Sequence, residues 1–436
     1  MFVLIRKLLI ANQKKIKQLS TLVIVNVFIS ALGFITQVKI ANVLGKESFG
    51  LISFGIAIAT YGAVFIRFGL DKTLVRDLIH YPTRFSGTVK SSLQIRLTFL
   101  LLFIVGVLTW KLSTSSNNDI SWGVFLIISA NVLMTLDLQA IYDSWDKMTR
   151  HAMYHLVQKV LYFILVWVVI LFDSSFLSVS LIGTMTLIAV LTYLALQYSW
   201  AIPRIPTDKV KTNHRLLTIN MIRGNTLIWM SGVIGLSFGT LNQIILKYYH
   251  GASELGGYSV AWMIVTMATI LLSQVSRIGF PATARMTTGE STQHEKFNFL
   301  IKYSSFMLCI TSPISFVAFV YPEWILSTFF NPEFRDAASA LKIMGLYIPV
   351  FSIGLVATQY TVSIKQEKAY FYSNLLGGVV SLTLCLILIP TYGSVGAIWA
   401  LLLSHGLALA GCVLITVLDV LKTEKTITDR SHETTT

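Results

Sequence analysis

Twelve long apolar stretches fill nearly the whole chain, at 19–43, 48–69, 91–110, 120–140, 154–172, 178–201, 217–247, 254–279, 299–320, 336–361, 370–390 and 394–420. A helix of roughly 20 apolar residues crosses a hydrocarbon core about 30 Å thick. The pattern therefore predicts an all-α integral membrane protein with 12 transmembrane helices. Only 12% of the residues are charged, about half the share of a soluble domain.

The charges also set an orientation. Of 34 Lys and Arg, 22 fall in the segments 1–17, 70–90, 142–153, 202–216, 280–298, 362–369 and 421–436. Three fall in the alternate loops, as Lys46, Lys111 and Arg335, and nine within spans. The positive-inside rule then places both termini in the cytoplasm, in agreement with an even helix count. A net charge of +14 is explained by this topology and by anionic lipid, without nucleic acid.

No polar stretch is long enough for a soluble catalytic domain. The longest polar breaks are 70–90 and 280–298. No phosphate loop, nucleophile elbow or paired metal-binding histidines occur, so neither an enzyme nor a cofactor is expected. Cys309, Cys385 and Cys412 lie inside spans and read as core filler. Segment 1–18 carries Arg6 and Lys7 within its apolar run and reads as a cytoplasmic or interfacial helix rather than a cleaved signal.

The two halves share a weak repeat. A shift of 206 residues lays Gly45, Gly50, Ser53, Ile58 and Thr60 over Gly251, Gly256, Ser259, Ile264 and Thr266. This predicts two pseudo-symmetric six-helix bundles around a central cavity, at 19–201 and 217–420, with a cytoplasmic linker at 202–216 and a tail at 421–436. Duplicated bundles suit alternating access in a transporter.

Polar stripes run along several spans. Asn26, Ser30, Gly33 and Gln37 follow a helical period in the first span. Asn220, Arg223, Gly224, Ser231, Gly235 and Asn242 share a broad face in the seventh. Ser259, Thr266, Thr269, Ser273 and Arg277 do so in the eighth. Such stripes suit either tight helix packing or a polar lumen. Nine basic residues lie in spans (Lys39, Arg67, Arg96, Lys159, Arg223, Lys247, Arg277, Lys302, Lys342), and those near helix ends can snorkel. Arg67, which aligns with Ser53 and Thr60 in the second span, and Arg223 and Arg277 each continue a polar stripe, so they are the candidates for gripping an anionic group. Asn26, Gln37, Asn220 and Asn242 are the candidates for lining the cavity. Asp137 is the carboxylate set clearly within a span, which makes it the candidate coupling residue.

Four segments carry a family resemblance: "VLGKESFGLISF" at 43–54, "RFGLDKTLVRDL" at 67–78, "YPEWILSTFFNPEFRDAASALKIMGLYIP" at 321–349 and "LILIPTYGSVGAIWALLLS" at 386–404. Through them the chain resembles the O-antigen and exopolysaccharide flippases of the multidrug/oligosaccharidyl-lipid/polysaccharide exporter superfamily. It departs from their pattern at Asn242, where an acidic residue is usual, and at Ser381 and Cys385, where Asn is common. The resemblance implies a multi-pass protein of the bacterial cytoplasmic (inner) membrane. The implied activity carries an undecaprenyl-pyrophosphate-linked oligosaccharide to the outer leaflet, for O-antigen, capsule or exopolysaccharide. Arg67, Arg223 and Arg277 would then meet the pyrophosphate, and Asn26, Gln37, Asn220 and Asn242 the sugars. Membrane lipid, the pathway's polymerase and its chain-length regulator are the implied partners. A cation-coupled multidrug antiporter of the same superfamily is the alternative.

Overall fold

A computed structural model describes residues 13–113, 121–208, 214–288, 293–364 and 366–433. Most of the expected interfacial segment 1–18 lies outside them. Among the described residues every regular element is helical. The α-helices are α1 Gln13–Arg67, α2 Leu70–His80, α3 Phe85–Ser113, α4 Trp122–Leu133, α5 Gln139–Ser144, α6 Met148–Asp173 and α7 Val179–Ala201. They continue as α8 His214–Gly235, α9 Thr240–Thr288, α10 Gln293–Val320, α11 Pro322–Phe329, α12 Ala337–Gly345, α13 Tyr347–Ser363 and α14 Glu367–Glu433.

Among the described residues, 9 stretches are long and apolar enough to cross a membrane, against the 12 spans expected. The difference has physical causes. Thr21–Arg67 and Lys368–Val417, at 47 and 50 residues, are each long enough for two crossings and run on through a kinked glycine. The expected seventh span, 217–247, is not one helix. It is α8, a turn over 236–239 and the start of α9. Asn220, Arg223 and Asn225 leave α8 too polar to count among the nine.

Gly45 and Gly251, which the 206-residue shift superposes, adopt the same non-helical backbone, at φ 76°, ψ 174° and φ 82°, ψ −179°. A side chain would resist that positive φ. The third kink, in "IPTYGSVGA", is built from both sides. Pro390 cannot donate to the preceding turn, and Gly393 takes φ 54°. Glu254 Oε1 then accepts from the Ser394 N–H at 2.7 Å, while His250 meets the Ile389 carbonyl at 2.7 Å.

The chain divides into two compact units, Met1–Val233 and Ile234–Thr436. The division falls inside the expected seventh span rather than in the 202–216 linker. The reason is side-chain packing of α8 within the first unit. Asn225 accepts from the Thr73 hydroxyl at 2.8 Å, and Trp229 stacks on Phe68 at 5.0 Å.

Candidate functional site

In the first unit the fourth expected span breaks in its second half. α4 ends at Leu133, a single 3-10 turn covers Met134–Leu136, and Asp137 is extended at ψ 151° before α5 begins. An interrupted helix frees backbone groups that hydrocarbon cannot solvate, so a break persists only where protein groups take them up. Here they do. Arg96 Nη1 donates to the carbonyls of Thr135 and Asp137 at 2.8 and 3.1 Å. The Leu138 N–H donates to Gln197 Oε1 at 2.9 Å, and the Tyr198 hydroxyl donates to the Leu136 carbonyl at 2.9 Å.

Four charges close on this break. Arg67 reaches Asp71 at 2.9 Å and Asp137 at 3.3 Å. Arg96 reaches the same two carboxylates, at 2.8 and 3.7 Å. Two guanidiniums and two carboxylates thus alternate in a ring of zero net charge. Arg96 is almost wholly buried, at 2% side-chain exposure, while Arg67 keeps 33%. The turn "RFG" sets the spacing. Phe68, at φ 46°, is held between the rings of Phe99 and Trp229, and Gly69 takes φ 70° where a Cβ would stand 3.0 Å from Ile228. Arg67 and Asp71 therefore fall on either side of the break between α1 and α2 and still meet.

Next to the ring, the Tyr193 hydroxyl pairs with His151 Nε2 at 2.9 Å, and Tyr142 donates to the Gln197 carbonyl at 2.9 Å. Arg150 and Arg204 both lie over the Trp200 ring, at 4.4 and 4.6 Å. Aromatic faces attract cations, which explains how two arginines share one site.

Among the described residues, the second unit joins comparable helices through neutral groups. Gln359 Nε2 on α13 donates to the Ser276 carbonyl at 2.9 Å and to its hydroxyl at 2.5 Å, and Tyr303 of α10 donates to Gln359 Oε1 at 3.2 Å. This unit also has an interrupted helix, between α12 and α13. Pro349 lacks the N–H that would bond Gly345, and the Ser315 hydroxyl takes that carbonyl instead at 2.8 Å.

The candidate residues from the sequence separate clearly. Arg67 and Asp137 come together, each already shared between two opposite charges. Asn26 and Gln37 are half-buried on α1. Asn220 and Arg223 are exposed on α8. Asn242 has no exposed surface. Its amide donates to the Ala397 carbonyl at 2.8 Å and accepts from the Cys385 thiol at 2.8 Å. The side chain of Arg277 lies outside the described residues. Cys385 is accordingly a hydrogen-bonding partner rather than plain filler. Two of the positions where the sequence departs from its look-alikes, 242 and 385, touch each other. Arg96 and Asp71 went unassigned in the sequence. Their signal was the cost of a lone intramembrane carboxylate, which obliges Asp137 to find cations.

A family model described as polysaccharide biosynthesis protein matches residues 16–287, and one described as MatE matches residues 228–387. An uncharacterized membrane protein of Methanocaldococcus jannaschii is 21% identical over 88% of this chain and 80% of its own length. Among solved structures, an inward-facing multidrug resistance MATE family transporter of the MOP superfamily superposes with TM-score 0.71 at 13% identity, covering 91% of this chain and 96% of that one. The lipid II flippase MurJ, in an inward closed conformation, does so with TM-score 0.68 at 14% identity, covering 92% and 89%. At such identities the likeness is one of fold.

Proposed function

Because this chain belongs to the polysaccharide biosynthesis protein family, we propose that it is a flippase for a polyprenyl-pyrophosphate-linked oligosaccharide, working by alternating access in a bacterial cytoplasmic membrane. In this reading 12 helices cross the bilayer and both termini are cytoplasmic, as the basic loops require. The product serves O-antigen, capsule or exopolysaccharide synthesis. The pathway's polymerase and chain-length regulator are natural partners, and no cofactor is needed.

One observation favours this reading over a cation-coupled drug antiporter. In the first unit Asp71 and Asp137 are both neutralised by arginine. The other basic groups within its spans, Lys39, Lys159 and Arg223, have no carboxylate partner among the described residues. A cationic drug needs the reverse balance. Sugar hydroxyls and a pyrophosphate need donors and positive charge to replace lost water. Arg223 and Arg277 are proposed to meet the pyrophosphate, and Asn26, Gln37 and Asn220 the sugars. Arg67 and Asp137 act on the helices they tie, rather than on the substrate.

The test is deletion in the native host, with surface polysaccharide and lipid-linked intermediates assayed together. The reading expects loss of surface glycan and accumulation of the complete lipid-linked unit on the cytoplasmic leaflet. Unchanged glycan with altered sensitivity to cationic drugs would favour the antiporter.

A further inference from the structure

Lys159 is one of three cations within the first unit's spans that have no carboxylate partner among the described residues. It is eleven residues into α6, which runs 26 residues from Met148 to Asp173. At 1.5 Å per residue that is about 16 Å from one end of the helix and about 21 Å from the other. No hydrogen bond or ion pair joins Lys159 to another described residue. Asp137, the carboxylate set within the neighbouring helices, is already held by two guanidiniums.

Helical geometry fixes the direction in which Lys159 points. The lipid-exposed residues of α6 are Met153, Val157, Ile164, Val168 and Leu171. At about 100° per residue they lie about 120–180° around the helix from Lys159. Buried Ala152 and Val166, seven residues before and after it, lie within about 20° of it. Trp167 marks the side facing α1, because Lys39 of α1 lies over its ring at 5.7 Å. His151 and His155 mark the side facing α7, through the Tyr193 hydroxyl at 2.9 Å and its ring at 5.8 Å. Lys159 falls between these two sides. It therefore points inward, between α1 and α7, and is half-buried there.

An unpaired ammonium within a membrane span and on an inward face is costly unless an anion visits it. We propose that Lys159, with His155 one turn before it, is a phosphate-type anion site inside the first unit, where the pyrophosphate of the transported lipid rests during its passage. The origin of the anion rests on the flippase reading; the chemistry of the site does not. Lysine suits a group that arrives and leaves, being a point charge on a flexible stem rather than a fixed fork.

The experiment compares purified wild type with Lys159→Gln, Lys159→Arg and Lys159→Met in lipid nanodiscs. One arm contains undecaprenyl pyrophosphate in the disc, the other inorganic pyrophosphate in solution, and binding is read by ligand-induced thermal stabilisation. The expected result is binding by wild type and Lys159→Arg, with affinity reduced about ten-fold or more in Lys159→Gln and Lys159→Met, as for loss of a charged hydrogen bond. Without ligand, Lys159→Met should unfold at or above the wild-type temperature, since it removes an unpaired buried charge; a merely structural lysine would give the opposite. Charge-dependent binding of the lipid assigns the site to the carrier's pyrophosphate, and charge-dependent binding of inorganic pyrophosphate alone assigns it to a free anion. Unaltered binding of both probes by Lys159→Gln, or binding of neither by wild type, overturns the proposal. A deletion strain with normal glycan would sink the flippase reading but leave this binding result standing on its own.

Discussion

The two units solve one joining problem by different chemistry. In the first, the end of α1, α2, α3 and the α4–α5 break are held by Arg67, Asp71, Arg96 and Asp137. In the second, among the described residues, α9, α10 and α13 are held by the neutral side chains of Ser276, Tyr303 and Gln359. The neutral trio joins its helices with less desolvation cost than buried ions incur. Four charges are thus not what a bundle of this kind requires in order to pack. Their effect is electrostatic: both carboxylates are cancelled locally, and the interior cations that remain are left without counter-charge. The broken helices differ in the same way. Proline and a serine hydroxyl make the α12–α13 break, whereas a guanidinium holds the α4–α5 break open.

That contrast can be broken by substitution. The largest effect is expected from Arg96→Met, which leaves two carboxylates to share the Arg67 guanidinium and two carbonyls without their donor. It should cost about 3–5 kcal/mol, as for other broken buried ion pairs, read as a fall in unfolding temperature in detergent and in membrane-accumulated protein. Asp137→Asn should cost less, about 2 kcal/mol, because the amide oxygen still accepts from the guanidiniums. The double variant Arg96→Met with Asp137→Leu should be milder than the sum of its single changes, since each removes the other's orphan; strict additivity would argue that the ring does not act as a unit. In the second unit Gln359→Leu should cost about 1–2 kcal/mol, the worth of neutral hydrogen bonds. A loss as large as that of Arg96→Met would erase the distinction between the units. Smallest of all, Ser315→Ala should cost about 1 kcal/mol by leaving the Gly345 carbonyl without its donor.

Much of the fold was legible because lipid imposes a simple rule on sequence. Apolar runs and loop charge marked the helices, and the weak repeat paired Gly45 with Gly251, which take the same kinked backbone. Helix interruptions were less legible. Asp137 sits in an apolar run with no proline or glycine beside it, so nothing local announced the break; the groups that stabilise it come from Arg96, Gln197 and Tyr198, far away in sequence. The same blindness affected Asn242, whose stripe on a helical wheel could not reveal that Ala397 and Cys385 already use both ends of its amide. Periodicity tells which residues share a face, not which partner occupies it. Lys159 shows the converse. Its sequence position looked like one basic residue among nine, and only the exposed and buried neighbours around α6 reveal that it faces inward.

The most direct test of the charge argument is reconstitution. Purified protein in vesicles would be supplied in parallel with a labelled polyprenyl-pyrophosphate oligosaccharide and with a fluorescent cationic dye. The account predicts protein-dependent movement of the labelled lipid between leaflets and no gradient-driven dye transport. Dye transport without movement of the lipid would contradict it.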